Sequence, residues 1–300
     1  MLTALLSRAD VSRHLQALHL LRELRDAFTA RRTSPSVRTL EFEPAPSSIL
    51  VRQATLEGLP AWSLTVRTRE PKGTRAVLEL HDAETGKLLA LMDASHLTSL
   101  RANLVSALAA DVLARPDARN VAVLGSGLAA SGALKALRLV RSLQHVWFHE
   151  KNVAENFELA HRLGKTLSMA IHAADTVREA VEYADLVVLT GDVALGDLPL
   201  RPGTHVTVLN AEQFTEPPLS TDLLSKARRF ADVSEPSLPW ARFDAELGEV
   251  LSGVKPGREH DEQLTVFASL GPAHLDLLTA WHVFEGARHD AALTRIDLEA

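Results

Sequence analysis

Val121-Ala-Val-Leu-Gly125-Ser-Gly127-Leu-Ala-Ala130 decides the fold. An uninterrupted apolar run makes a buried strand, and two glycines and an alanine then lead into a helical pattern over 130–143. Gly125 permits a tight turn. Gly127 offers no side chain to an approaching pyrophosphate. Ala130 lets helix and strand pack closely, with the free N–H groups at the helix start facing the phosphates. Ser126, Leu128 and Ala129 complete the loop. A second apolar strand, 146–149, ends at Glu150, where an acidic residue about 20 residues after the loop would bind ribose hydroxyls. Lys151 follows at once and suits a 2′-phosphate, so NAD is favoured and NADP stays open. The alternative is a glycine-rich turn that packs and binds nothing. Strand, loop, helix and strand in that order argue against it.

Downstream, apolar strands at 186–190, 205–209, 230–233 and 264–267 alternate with helical patterns at 153–163, 221–227 and 275–288. Such alternation predicts a parallel sheet covered by helices, a Rossmann-type domain over 116–270. Thr190 and Gly191, with Asp192 after them, end one strand. Ser269 and Gly271 follow another, so all of these are expected to line the cofactor cleft. The long stretch 234–262 has a short helix expected around 241–251. Upstream, 11–29 reads as an amphipathic helix. Short runs at 37–42, 48–53, 61–68, 76–81 and 88–92, separated by turn-like pieces, predict a small, mostly antiparallel sheet. Thr98 is expected to cap a helix over 101–113. The fold class is α/β: a Rossmann-type parallel-sheet domain plus a smaller sheet-rich domain.

Composition narrows the function. A formal net charge of -6 does not fit a nucleic-acid binder, and no stretch approaches a charge-free membrane span. There is no cysteine, which removes disulfides, thiolate nucleophiles and cysteine zinc sites. The 13 histidines show no metal-ligand spacing, so no metal is expected and they read as surface and capping residues. The first residues read as a folded helical start, not a signal peptide, which makes a cytoplasmic protein the expectation.

Other blocks, taken with the glycine loop, point to a family. Asp82-Ala-Glu-Thr-Gly86-Lys-Leu-Leu-Ala90, Leu97-Thr98-Ser-Leu-Arg101, Gly253-Val-Lys-Pro-Gly-Arg258, Thr265-Val-Phe-Ala-Ser269-Leu-Gly271 and Asp276 stand in family order. Over roughly residues 35–290 the chain resembles the ornithine cyclodeaminase/mu-crystallin family. The resemblance implies that 1–115 and 271–300 form a substrate and dimerisation domain. It implies a homodimer that moves hydride between a nicotinamide and the alpha carbon of a small amino, imino or keto acid. It makes Arg101 the carboxylate-binding arginine, Arg38 a second substrate arginine and Glu212 the carboxylate following the fifth Rossmann strand. For the arginines the alternative is an ion pair, and for Glu212 a solvated loop acid.

The chain also departs from the pattern. A lysine is expected on the strand after Gly58-Leu59-Pro60, and Leu64 or Thr65 stands there; Arg67, Arg69 or Lys72 could reach in from elsewhere. Ala102 replaces a threonine, and Ala129 a glutamine. The losses fall on the substrate side and leave the cofactor motif intact. The leading expectation is an NAD(P)-dependent oxidoreductase of the ketimine reductase or amino acid dehydrogenase kind. A catalytically inactive binding protein comes next, and an ornithine cyclodeaminase-like lyase last.

Overall fold

The computed structural model describes residues 2–29, 36–43, 47–70, 73–125, 127–150, 152–190, 193–198, 200–214, 216–233 and 242–298. Ser126, Lys151, Gly191 and Asp192 lie outside them, as does Lys72. The chain forms two compact units, Met1–Arg101 with Gly271–Ala300, and Ala102–Leu270. Among the described residues no helix is long and apolar enough to cross a membrane.

The first unit begins with β1 (Thr3–Leu6), α1 (Arg8–His14) and α2 (Ala17–Thr29). Here the expected helical start is corrected. β1 is a strand because it pairs in parallel with β6 (Leu88–Asp93) and antiparallel with β15 (Thr294–Ile296). The single helix over 11–29 is two helices. Leu15 turns extended, and the Gln16 N–H donates to His282 Nε2 at 3.2 Å. Next come β2 (Val37–Phe42), β3 (Ser48–Thr55), β4 (Ala61–Glu70) and β5 (Gly73–Asp82). The sheet order is β15-β1-β6-β5-β4-β3-β2.

Side chains alternate across a strand, so cross-strand partners share a face. Arg52, Thr65, Leu78 and Met92 are in register, as are Ala54, Ser63, Leu80 and Ala90. Ala54, Ser63, Thr65, Leu78, Leu80, Ala90 and Met92 are buried, so this is the core face. Helix α9 (Ala273–Ala287) packs on β3, β4 and β5. Buried residues occur all round it, from Leu275 through Leu278 and Val283 to Ala287, as expected of a helix apolar on every side.

Helix α3 (Ala94–Leu113) starts about two turns earlier than the expected 101. Thr98 lies inside it and is not its cap. The Asp93 carboxylate at the end of β6 accepts the His96 N–H at 2.7 Å and does the capping. The unit boundary falls within this helix.

The second unit holds β7 (Asn120–Leu124), α4 (Gly127–Leu137), β8 (His145–His149), α5 (Val153–Leu167), β9 (His172–Ala173), α6 (Val177–Val181) and β10 (Leu186–Leu189). It continues with β11 (His205–Val208), α7 (Thr221–Lys226), β12 (Arg228–Ala231), β13 (Ala245–Glu246), α8 (Leu247–Leu251) and β14 (Thr265–Ala268). The sheet runs β13-β12-β14-β11-β10-β7-β8-β9, and every pair is parallel. Strand order reverses at β7, so a topological switch point lies between β7 and β10 at their carboxyl ends, where ligands of open α/β sheets bind. The expected helix around 241–251 is shorter, being α8 preceded by the two-residue β13; residue 241 is outside the described set.

Candidate functional site

In the second unit the described residues among those expected to bind the cofactor gather along one edge of the sheet. Leu124 closes β7, and Gly125 adopts φ +122°, a region where an L side chain is strained. Its N–H donates to the His149 carbonyl at 2.9 Å. Helix α4 opens two residues on, at Gly127, with Ala129 and a buried Ala130 in its first turn. Thr190 caps the edge of β10, its N–H and hydroxyl both donating to the Leu124 carbonyl, at 2.8 and 3.2 Å. Glu150 follows β8, and its backbone N–H is held by Asn156 Oδ1 at 3.1 Å. Asn156 is itself buried and donates to Ala174.

The same edge continues toward β14. After β11 the chain turns at Asn210, in the left-handed region, into the short 3-10 turn Ala211–Gln213 that carries the half-buried Glu212. The Ala211 N–H donates to the Ser269 carbonyl at 2.9 Å. Sequence reasoning missed Asp232, which fixes this corner. Its buried carboxylate accepts the Leu270 N–H at 2.9 Å and the Ser269 hydroxyl at 3.3 Å.

The first unit carries a second group of residues. Arg101, on α3, is 1% exposed, and its Nε donates to Asp276 Oδ1 on α9 at 3.1 Å. Burying a guanidinium costs several kcal/mol, and pairing with a buried carboxylate offsets much of that. The pairing uses one of its three nitrogens. Nη1 is buried with no hydrogen-bond partner among the described residues. Nη2 packs on Gly271, where a Cβ would lie 2.7 Å away, and Gly271 has φ +74°. Gly271, expected to line the cofactor cleft, lies against two arginines.

Arg52 is the other of these. It shares the core face with Thr65, and its Nη1 donates to the Gly271 carbonyl at 3.2 Å. Sequence reasoning overlooked it, because only the register of β3 against β4 sets Arg52 opposite Thr65. Arg38 lies elsewhere. It is exposed on β2 in register with Gln53 and Leu64, so it stands on the sheet face away from α9. His274, in the first turn of α9, was also missed. Burial first, and Arg101 second, push its pKa down to about 4, which keeps the ring neutral.

The histidines are not all surface and capping residues. His205 is fully buried, bonded to Thr265 and Thr207, and burial pushes it down to about 3. His282 is buried and lies within ligand distance of Glu23 and His19. Its Nε2 accepts the Gln16 N–H, so Nδ1 carries the proton and donates to Glu23 at 2.8 Å. This is a hydrogen-bonded strut between α2 and α9, not a set of free lone pairs for a cation.

The chain is 27% identical to a Delta(1)-pyrroline-2-carboxylate reductase of Bacillus cereus, over 90% of this chain and 91% of the relative. It is 32% identical to ketimine reductase mu-crystallin of Mus musculus, over 73% of this chain and 71% of that one. The Thermococcus litoralis Delta(1)-pyrroline-2-carboxylate reductase, solved with NADH and L-proline, has the same fold, with a TM-score of 0.85 at 24% identity over 98% of this chain and all of that one. The model of the ornithine cyclodeaminase/mu-crystallin family matches residues 66–291. Since that match spans most of its length, the chain belongs to the ornithine cyclodeaminase/mu-crystallin family.

Proposed function

We propose that the protein is an NAD(P)H-dependent reductase of small cyclic imino acids, of the Δ1-pyrroline-2-carboxylate class. One observation carries the reading: Arg101 is buried and, among the described residues, is tethered through Nε alone and keeps an unpartnered Nη1. A buried donor without a partner costs about 1–3 kcal/mol, and a carboxylate is its best complement. Relatives over nine-tenths of both lengths carry the pyrroline-2-carboxylate reductase name.

The residues fit a dinucleotide. Gly125 needs its positive φ, and the loop enters an 11-residue helix at the switch point of the sheet. Gly125, Ser126, Gly127 and Leu128 would hold the pyrophosphate, Glu150 or Lys151 the ribose, and Thr190, Gly191 and Ser269 the nicotinamide end. When bound, NAD(P)H supplies a hydride. Arg101 binds the substrate carboxylate, and Arg52 adds a second cation. Reduction adds hydride to the imino carbon, sends the C=N electron pair to nitrogen and needs one proton there; Glu212 delivers it.

A homodimer completes the proposal. The sheet face away from α9 carries Leu40, Val51, Val66 and Val77 in one cross-strand row, with Leu40 and Val77 exposed. Such a row suits a second copy. We assign the protein to the cytoplasm, where reduced nicotinamide is available.

One observation favours a non-catalytic binding protein: the residue opposite Arg52 on β4 is Thr65, not a lysine. A single assay separates the two. Oxidation of NADH and NADPH is followed with Δ1-pyrroline-2-carboxylate, pyruvate plus ammonia, and ornithine. Turnover on the cyclic imino acid is expected. Dinucleotide binding without turnover on any of them would favour the binding protein.

A further inference from the structure

We propose that Thr98 and His274 form, with Arg101, a three-sided carboxylate subsite at the start of α9, a reading that rests on the imino-acid function and specifies how its substrate is held. Three polar side-chain atoms in this part of the first unit are buried without a hydrogen-bond partner among the described residues: Thr98 Oγ1, Arg101 Nη1 and His274 Nδ1. Thr98 and Arg101 are three residues apart on α3, so they are neighbours on one helix face. His274 is two residues from Asp276, which grips Arg101 across the two helices. Its charge state responds to both of them.

Each orphan alone would cost about 1–3 kcal/mol. Three around one ion pair call for one polar ligand. A carboxylate has two oxygens and about four lone-pair sites, enough for one guanidinium N–H, one hydroxyl and one imidazole N–H. The helix adds to this. Residue 272, its N-cap, is proline and makes no side-chain cap bond; the Pro272 carbonyl takes the Leu275 N–H at 3.1 Å, and the N–H groups of Ala273 and His274 before it have no side-chain cap. The helix's positive dipole end favours an anion there. A neutral ring suits the task, because it donates one hydrogen bond without adding a second buried charge beside Arg101.

The test reads binding, not turnover. Pyrrole-2-carboxylate, a planar analogue that cannot be reduced by hydride addition to a C=N bond, is titrated by calorimetry against the NADH-saturated protein, with pyrrole-2-carboxamide as the uncharged control. His274→Val should weaken the carboxylate about 5–30-fold, and Thr98→Val about 3–10-fold, with the carboxamide and NADH affinities unchanged. His274→Asn returns an amide N–H to the Nδ1 position and should restore affinity to within about threefold of the native protein; His274→Gln, with its amide near Nε2, should not. Equal carboxylate affinity for His274→Val and the native protein would overturn the proposal. So would an Asn variant as weak as the Val variant, or a native protein that does not bind the carboxylate. Should Thr98→Val not fold, Thr98→Ser is read instead, with native affinity expected and a large loss counting against the subsite. A protein that binds the analogue in this pattern yet reduces no imino acid would sink the reductase reading and leave the subsite standing.

Discussion

Gly271→Ala tests how tightly the arginines are positioned. The residue has φ +74°, and an added Cβ would lie 2.7 Å from Arg101 Nη2. Two costs follow. The left-handed backbone costs an alanine about 1 kcal/mol. The guanidinium must also retreat by about 0.7 Å to reach ordinary contact at 3.4 Å. That retreat stretches the 3.1 Å bond from Nε to Asp276, a charge-assisted bond worth about 1.5–3 kcal/mol. Gly86 provides the control, since it has φ +72° in the same unit with nothing within 4 Å of an added Cβ. Gly86→Ala should therefore lose about 1 kcal/mol, and Gly271→Ala about 2–3 kcal/mol more. Thermal unfolding of both variants reads the difference, at about 2–4 °C per kcal/mol. Steady-state kinetics should show KM for the imino acid raised about 10–100-fold in Gly271→Ala alone. Equal behaviour of the two variants would refute the claim that Gly271 is there to admit Arg101.

Gly125→Ala should raise the Kd of NADH by about tenfold or more, because its φ of +122° strains any side chain where the loop turns; fluorescence titration checks this. Asp232→Asn replaces one of two acceptors with a donor between the Leu270 N–H and the Ser269 hydroxyl, so it should lower stability by about 1–3 kcal/mol in urea unfolding and weaken NADH binding. His205 and His274 have folded pKa values pushed down to about 3 and about 4, below the ordinary 6.5. The unfolded chain therefore takes up more protons below pH 6.5. Stability is full above that pH and falls as pH drops toward the folded values, by up to about 1.4 kcal/mol per unit per histidine. Urea midpoints across that range should fall with acid, and His205→Gln should flatten the slope.

The second unit was legible because its signals are local. The loop 125–130 states its own geometry, and the strands around it are continuous apolar runs too short for helices. What was illegible depends on contacts far along the chain. β1 reads as the start of a helix until β6 and β15 pair with it. Thr98 looks like a cap until Asp93, one turn earlier, takes the His96 N–H. Arg52 is one arginine among many until the register of β3 and β4 sets it opposite Thr65 and its side chain reaches Gly271. Arg38 shows the converse. The family resemblance offered it as a second substrate arginine, and strand alternation puts it on the opposite sheet face from Arg52. Burial of Asp232 and His205 likewise follows from packing, which no short window of sequence records.

The central claim is hydride transfer to an imino carbon. It is tested most directly by incubating the protein with Δ1-pyrroline-2-carboxylate and NADH deuterated at the transferable position, then analysing the amino acid formed by mass spectrometry and NMR. The account predicts proline carrying a single deuteron at its alpha carbon. Unlabelled proline, or no proline from a protein that binds both ligands, would contradict it.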